Sequence, residues 1–116
     1  MAAGASSRVR LLHMRDEIES LLQELAGLRF ETYRESYALR RITERAIQIV
    51  SEAARALPDE LRARYAEAPW ADIIGIGNPL RHEYRRIDDK VLWETATADL
   101  PKLQPIIQRM LAEFES

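Results

Sequence analysis

The chain has 116 residues, of which 17 are basic and 19 acidic, and its formal net charge is -2. This length favours one domain spanning residues 1–116, with residues 1–6 predicted to form a flexible N-terminal segment. A hydrophobic fraction of 47% with 31% charged residues is typical of a globular protein and excludes a disordered chain.

The chain contains no cysteine, which excludes disulfides, thiolate metal sites and cysteine nucleophiles. Its longest apolar runs fall short of the roughly 20 residues that a membrane helix needs, and its first residues lack the apolar stretch of a secretory signal. We therefore expect a cytoplasmic protein that does not contact a membrane. The slightly acidic balance argues against a broadly basic nucleic-acid binder, so any RNA-binding patch must be local.

Apolar residues recur at three- and four-residue intervals in the first half of the chain, which predicts helices. The first predicted helix is capped by Ser6 or Ser7 and ends at Gly27. A second helix carries an apolar stripe from residue 39 to residue 57 and ends at Pro58. A short third helix is predicted from Pro58 to about Tyr65.

A further apolar stripe runs from Leu103 to Phe114 near the C terminus. The sequence Asp99-Leu100-Pro101 is placed to cap and start this helix. With few glycines and no repeat, the economical architecture is an all-α, antiparallel bundle of four or five helices.

The segment from Trp70 to Asp88 allows two interpretations. In the first, Asn78 caps a helix whose first residue is Pro79, so that His82 lies in a first turn whose free N–H groups suit a phosphate. In the second, one kinked helix runs from Trp70 to Arg86. In both, residues 80, 84, 87 and 91 follow one helix face.

Basic residues surround the histidine in this segment. His82 titrates near neutral pH and is suited to move a proton, while guanidinium groups from Arg81, Arg85 and Arg86 are suited to bind a phosphodiester. This combination fits RNA cleavage without a metal, in which imidazole assists attack of the 2′-hydroxyl on the adjacent phosphate. Asn78 is predicted to position this segment or to contact RNA.

The same residues also fit structural roles. A lone histidine among arginines is often a solvated helix residue, and Tyr84 is spaced as a core residue with its hydroxyl at the surface. Arg85 and Arg86 also fit a solvated helix face, on which the negative charge of Asp88 offsets their positive charge. The acidic residues of the first helix lack the histidine spacing of a bundle metal site, so we predict no metal and no cofactor.

The chain resembles the HepT-like branch of the HEPN superfamily of small helical proteins. The resemblance extends over nearly the whole chain and is carried by Pro69-Trp70, Asn78-x-Leu80-x-His82-x-Tyr84, Ile87-Asp88, Val91-x-Trp93-Glu94 and Asp99-Leu100-Pro101. It implies a homodimeric bundle whose motif helices meet across a cleft, and an RNase toxin that an MntA-type nucleotidyltransferase antitoxin neutralises.

The family signature implied by this resemblance is R-x-x-x-x-H-x-Y. His82 and Tyr84 match its last two elements, whereas Gly77 stands at the arginine position and has no guanidinium to bind a phosphate. Arg81, roughly 100° around the helix from His82, is the predicted replacement. By resemblance, Tyr84 is the predicted acceptor of AMP from the antitoxin.

The leading hypothesis is thus a metal-independent RNase toxin with its active site at a homodimer cleft. The alternative is a homologue that has lost cleavage with the motif arginine and acts as a dimeric binding partner of a nucleotidyltransferase. A plain helical dimerisation module is the third interpretation.

Overall fold

The computed structural model describes residues 2–82 and 87–114, and it describes side chains for residues 6–80 and 87–114. Within these ranges the chain forms helices joined by turns, with no strand. The helices are α1 (Ala2–Leu25), α2 (Phe30–Glu35), α3 (Tyr37–Ala56), α4 (Asp59–Ala63), α5 (Trp70–His82), α6 (Asp89–Glu94) and α7 (Leu100–Ala112). A π-helical turn over Thr95–Asp99 joins α6 to α7 in one continuous rod. The predicted all-α bundle is confirmed.

Helix α1 begins before the predicted cap at Ser6 or Ser7. It starts at Ala2, and Ser7 is only 3% exposed because it lies in the same stripe as Leu11 and Met14, which are fully buried. The predicted capping role of Ser6 or Ser7 is therefore wrong. The other end agrees with the prediction, since Gly27 follows the helix with a φ of 75°, a conformation that favours glycine.

Helix α3 begins and ends where its apolar stripe predicts. The Ser36 hydroxyl caps it by accepting a hydrogen bond of 3.1 Å from the backbone N–H of Leu39. Its buried residues recur at helical spacing and include Ala46, Ile47 and Val50. Leu21 of α1 and Ala46 of α3 line one groove near the α1–α2 turn, so the two helices run antiparallel.

Helix α2 was not predicted, because six residues are too few to show a helical period. It contributes Tyr33, which is fully buried and whose ring centroid lies 5.2 Å from that of Trp93. This contact places α6 beside α2, and α6 also contacts α3.

The opposite end of the bundle is fixed around Tyr65. Its hydroxyl donates a hydrogen bond to the Glu113 carboxylate, which also pairs with Arg64 at 2.6 Å. These two hydrogen bonds, that from Tyr65 first, hold the pKa of Glu113 below its usual value. The Trp70 indole N–H donates to the carbonyl oxygen of Tyr65 at 3.0 Å, so α5 begins at this end. The four long rods, α1, α3, α5 and α6–α7, therefore alternate in direction.

Three local predictions around α5 to α7 are corrected. Pro79 lies inside α5, so Asn78 is not an N-cap, and one helix runs from Trp70 through Pro79 to His82 as the second interpretation predicts; its predicted continuation to Arg86 lies outside the described residues. Ile87 and Asp88 are not helical, and the Asp88 carboxylate accepts from the Lys90 N–H at 2.7 Å to cap α6, so one continuous face up to Val91 is wrong. Helix α7 starts at Leu100 as predicted, but Asp99 has helical dihedrals and makes no capping bond, because the π-helical turn leads directly into the helix.

Replacing Tyr33 with phenylalanine should leave the free energy of unfolding at neutral pH unchanged or higher. The Tyr33 hydroxyl lies near Thr43, yet neither buried hydroxyl has a hydrogen-bond partner within the described part of the chain. Burial, followed by repulsion from Asp89 and Glu44, raises the pKa of Tyr33 from 10.0 to about 12.

Above pH 10 the unfolded chain loses this phenol proton while the folded chain keeps it. The free energy of unfolding that Tyr33 contributes therefore falls as pH rises, by up to roughly 1.4 kcal/mol per pH unit. Urea unfolding of wild type and Tyr33→Phe between pH 7 and 11.5 checks this. The wild type should lose stability faster than the variant above pH 10, and parallel losses would contradict the account.

Candidate active site

The predicted site residues cluster at the C-terminal end of α5. Asn78 is exposed on this helix, and Arg81 and His82 form its last two backbone positions. Tyr84, Arg85 and Arg86 lie outside the described residues. Because α5 begins at Trp70 and runs through Pro79 to His82, His82 does not lie in a first turn, and the predicted phosphate seat at a helix N-terminus is wrong.

The helical repeat places position 82 on the outer face of α5. Ala71, Gly75 and Asn78 are exposed and recur at three- and four-residue intervals, and position 82 is the next in this series. The inner face carries Trp70, Ile73 and Gly77, all buried. The histidine position and the glycine at the motif arginine position therefore lie on different faces of one helix.

At Gly77, α5 lies in close contact with α3. A Cβ atom at this position would overlap the Ser51 Oγ and lie 2.9 Å from the Ser51 Cβ. Ser51 is 2% exposed and is held there because its hydroxyl donates a 3.1 Å hydrogen bond to the carbonyl oxygen of Ile74. Position 77 therefore requires glycine, and an arginine there would be directed into α3.

Arg81 follows Gly77 by one helical turn. Residues four apart are separated by about 40° around a helix and lie on one face. Position 81 thus lies on the side of α5 that carries position 77, one turn closer to His82 along the chain. Sequence reasoning identified this residue but missed Ser51, whose contact with α5 spans 23 positions of the chain between Ser51 and Ile74 and leaves no local signal.

A groove of about 680 Å³ separates α5 from the α6–α7 rod. Ile76, Pro79 and Ile87 line the end nearer His82, and the carboxylates of Asp72 and Asp99 lie at the other end. Burial, with repulsion from Asp72 next in size, raises the pKa of Asp99 above its usual value. This acidic end would repel an RNA phosphate.

Among the side chains that the structure describes, those of residues 6–80 and 87–114, no three histidines or carboxylates are grouped so that they could hold a metal ion. None of the helices in these ranges has both the length and the apolar character needed to cross a membrane.

Comparison with known proteins decides the family. The model of the family described as ribonuclease HepT-like matches residues 14–110, which include both α5 and the bundle around it. This chain belongs to the HepT-like family. The resemblance seen in the sequence is therefore confirmed.

Individual relatives of this HepT-like chain are also named as ribonucleases. A protein of Caldanaerobacter subterraneus subsp. tengcongensis, provisionally named an RNase, is 32% identical over 104 residues, which are 90% of this chain and 93% of the relative. A protein of Thermococcus cleftensis, provisionally named ribonuclease HepT, is 30% identical over 66 residues, or 57% of this chain and 60% of the relative. No solved structure matches the chain significantly. These matches support an RNase-type function.

Proposed function

We propose that this HepT-like protein is a metal-independent endoribonuclease and the toxin of a bacterial toxin–antitoxin pair. The observation that carries the proposal is the family match over residues 14–110, which contains the His82-x-Tyr84 segment. Asn78, which precedes His82 by one turn on the same face of α5, is exposed, and this agrees with contact to a large polymer.

In the proposed reaction, His82 accepts the proton of an RNA 2′-hydroxyl as its oxygen bonds to the adjacent phosphorus. The bond from phosphorus to the 5′-oxygen then breaks, and that oxygen takes up a proton from a general acid. The products are a 2′,3′-cyclic phosphate and a 5′-hydroxyl, so that atoms and charges balance without a metal. Arg81 stabilises the charge that develops on the phosphoryl oxygens, and Asn78, Arg85 and Arg86 bind the neighbouring phosphates or bases.

The proposed active site is formed by two copies of the chain. One chain supplies one His82, whereas the reaction needs a base at the 2′-hydroxyl and an acid at the 5′-oxygen. Pairing the ends of two α5 helices across a cleft brings two such histidines to one phosphate. The groove lined by Pro79 and Ile87 borders this part of α5 and offers a surface for such pairing.

Control of the toxin is proposed to act through Tyr84. An MntA-type nucleotidyltransferase would transfer AMP to the phenol oxygen, with release of pyrophosphate from ATP. The added phosphate carries negative charge and bulk, and both oppose binding of an RNA phosphate at His82. This arrangement places the protein and its antitoxin together in the cytoplasm.

Replacing Tyr84 with phenylalanine tests that control. Co-expression of the wild-type protein with its nucleotidyltransferase should add the mass of AMP to the intact chain, and the Tyr84→Phe variant should stay unmodified. Equal labelling of both proteins in intact-mass spectra would reject Tyr84 as the acceptor.

A specific observation favours a second candidate function. Gly77 lacks the motif guanidinium, and its contact with Ser51 leaves no room for one. If Arg81 does not supply the charge, the protein keeps the bundle without cleavage and acts as a dimeric binding partner of the nucleotidyltransferase.

The two functions are separated by incubating purified protein with a mixed RNA pool in excess chelator, which suppresses contaminating metal-dependent nucleases. The proposed enzyme cleaves the pool, and His82→Ala does not. A wild type that leaves the RNA intact, but binds the nucleotidyltransferase, would support the second function.

A further inference from the structure

A second groove of about 370 Å³ lies between α1 and α3. Its floor is apolar and consists of Leu21, Ile42 and Ala46. Ile42 is 40% exposed, which is unusual for a large aliphatic residue in a bundle that buries most of its apolar side chains. The groove is too small to receive a helix, which is about 10 Å across, but it has the size of a small-molecule site.

The walls of this groove differ in charge. Arg41 and Arg45 line the α3 side, and Glu17 and Glu24 line the α1 side. The Arg41 guanidinium pairs with Glu44 at 3.2 Å, and Arg45 bonds to Gln48 at 3.4 Å, so each is oriented by a neighbour on its own helix. A matching occupant has a flat apolar body for the floor, an anionic side for the arginines of α3 and hydrogen-bond donors for the carboxylates of α1.

An exposed aromatic ring stands beside the α3 wall. Tyr37 is 67% exposed, and the Arg41 guanidinium carbon lies 5.2 Å from its ring centroid. Stacked tyrosine and arginine side chains form the kind of surface on which unpaired RNA bases stack. A tyrosine left this exposed at the first position of a helix contributes little to the core.

The α1–α3 groove and residue 82 of α5 lie at a similar level along the bundle axis. Helices α3 and α5 are antiparallel and meet at Ser51 and Gly77. His82 lies five residues, or ~7.5 Å, beyond Gly77 along α5, and Arg45 lies six residues, or ~9 Å, before Ser51 along α3. Both displacements are in the same direction, so a few nucleotides of single-stranded RNA can reach from one position to the other.

We propose that the α1–α3 groove, with Tyr37, is a subsite for one unpaired nucleobase of the RNA substrate. The base lies on Ile42 and Leu21, its phosphate faces Arg41 and Arg45, and a neighbouring base stacks on Tyr37. The carboxylates on α1 accept hydrogen bonds from an exocyclic amino group, so the subsite prefers cytosine, adenine or guanine to uracil. This inference rests on the proposed RNase function and adds its substrate recognition.

The test is fluorescence anisotropy with short labelled oligo(C) and oligo(U) RNA, in an His82→Ala background that keeps the RNA intact. We expect Tyr37→Ala to bind oligo(C) about tenfold more weakly and Tyr37→Phe to bind within about twofold of the parent. The double variant Arg41→Ala, Arg45→Ala should weaken binding further. The slope of its affinity against salt concentration should correspond to about two fewer phosphate contacts. Arg55→Ala, an exposed arginine at the far end of α3, is the matched control and should have no effect.

Base preference gives an independent readout. Glu17→Ala with Glu24→Ala should abolish the preference for oligo(C) over oligo(U) while raising affinity for both, because two repelling charges are lost. Thermal unfolding of each variant verifies that it is folded. If a Tyr37 variant fails to fold, binding by the double variant of Arg41 and Arg45 tests the subsite.

Several outcomes would overturn the subsite. If wild type cleaves RNA while the Tyr37 and arginine variants bind like Arg55→Ala, the subsite is wrong and the proposed function stands. If Tyr37→Ala changes the oligomeric state without changing RNA binding, the groove holds a protein partner instead. If wild type neither binds nor cleaves RNA, both proposals fail.

Discussion

His82→Ala is expected to lower the rate of RNA cleavage by about 10²- to 10⁴-fold, the usual contribution of a positioned acid–base group. The protein offers a matched control, because its only other histidine, His13, is exposed on α1. His13→Ala should cleave at the wild-type rate. Single-turnover cleavage of a labelled RNA in excess chelator measures both variants, and equal rates for His82→Ala and wild type would remove His82 from the reaction.

Arg81 is examined in the same assay. Arg81→Ala should lose cleavage while Arg81→Lys retains part of it, since a lysine keeps the charge but not the two-pronged geometry of a guanidinium. Unchanged cleavage by Arg81→Ala would mean that the charge lost at Gly77 is supplied elsewhere.

Gly77→Ala is expected to destabilise the fold by about 1–3 kcal/mol, the usual effect of forcing an extra carbon into a packed contact. The added Cβ would meet Ser51, whose own Cβ would lie only 2.9 Å away. This sign is diagnostic, because alanine in place of glycine inside a helix normally stabilises it by roughly 1 kcal/mol. Urea unfolding at neutral pH measures the change.

Gly75 provides the control for this prediction. It lies in the same helix with no atom within 4 Å of a Cβ built on it, so Gly75→Ala should be neutral or stabilising. Ser51→Gly should rescue Gly77→Ala, because it removes both atoms of the clash. If Gly77→Ala is as stable as wild type, the close approach of α5 to α3 is wrong.

The same contact changes what an arginine at position 77 would do. The sequence alone presents Gly77 as a lost catalytic residue that a Gly77→Arg exchange would restore. The contact with Ser51 predicts that Gly77→Arg unfolds or shifts α5 and does not gain activity. The cation must therefore come from a position other than 77, such as Arg81 one turn later.

The long helices were predictable from the sequence because their apolar residues recur at a helical period. The stripes of α1 and α7 lie in the core as expected, whereas the α3 stripe does so only in part, since Ile42 is 40% exposed. The prediction failed where local chemistry was ambiguous. Asn78-Pro79 has the form of a helix start, yet Pro79 lies inside α5, which already began at Trp70. Ile87 fits the helical period, but the Asp88 cap starts a new helix at Asp89.

The candidate site was predictable only in its residue types. The spacing from Asn78 to Tyr84 carries the family resemblance, and Arg81 is visible as the nearest cation. The relation of α5 to α3 was not predictable, because Ser51 is one of several small residues in its stripe and nothing local marks it as the partner of Gly77. The α1–α3 groove likewise depends on two helices whose facing residues are far apart in the chain.

The central claim, RNA cleavage through the 2′-hydroxyl without a metal, is tested most directly by one cleavage comparison. An RNA oligonucleotide that the protein cuts is compared, in excess chelator, with the same oligonucleotide carrying a single 2′-deoxy residue at the cut. We predict that the first is cleaved to a 2′,3′-cyclic phosphate and a 5′-hydroxyl, and that the second stays intact. Cleavage of the 2′-deoxy oligonucleotide at the same position, or activity that disappears with chelator, would contradict the account.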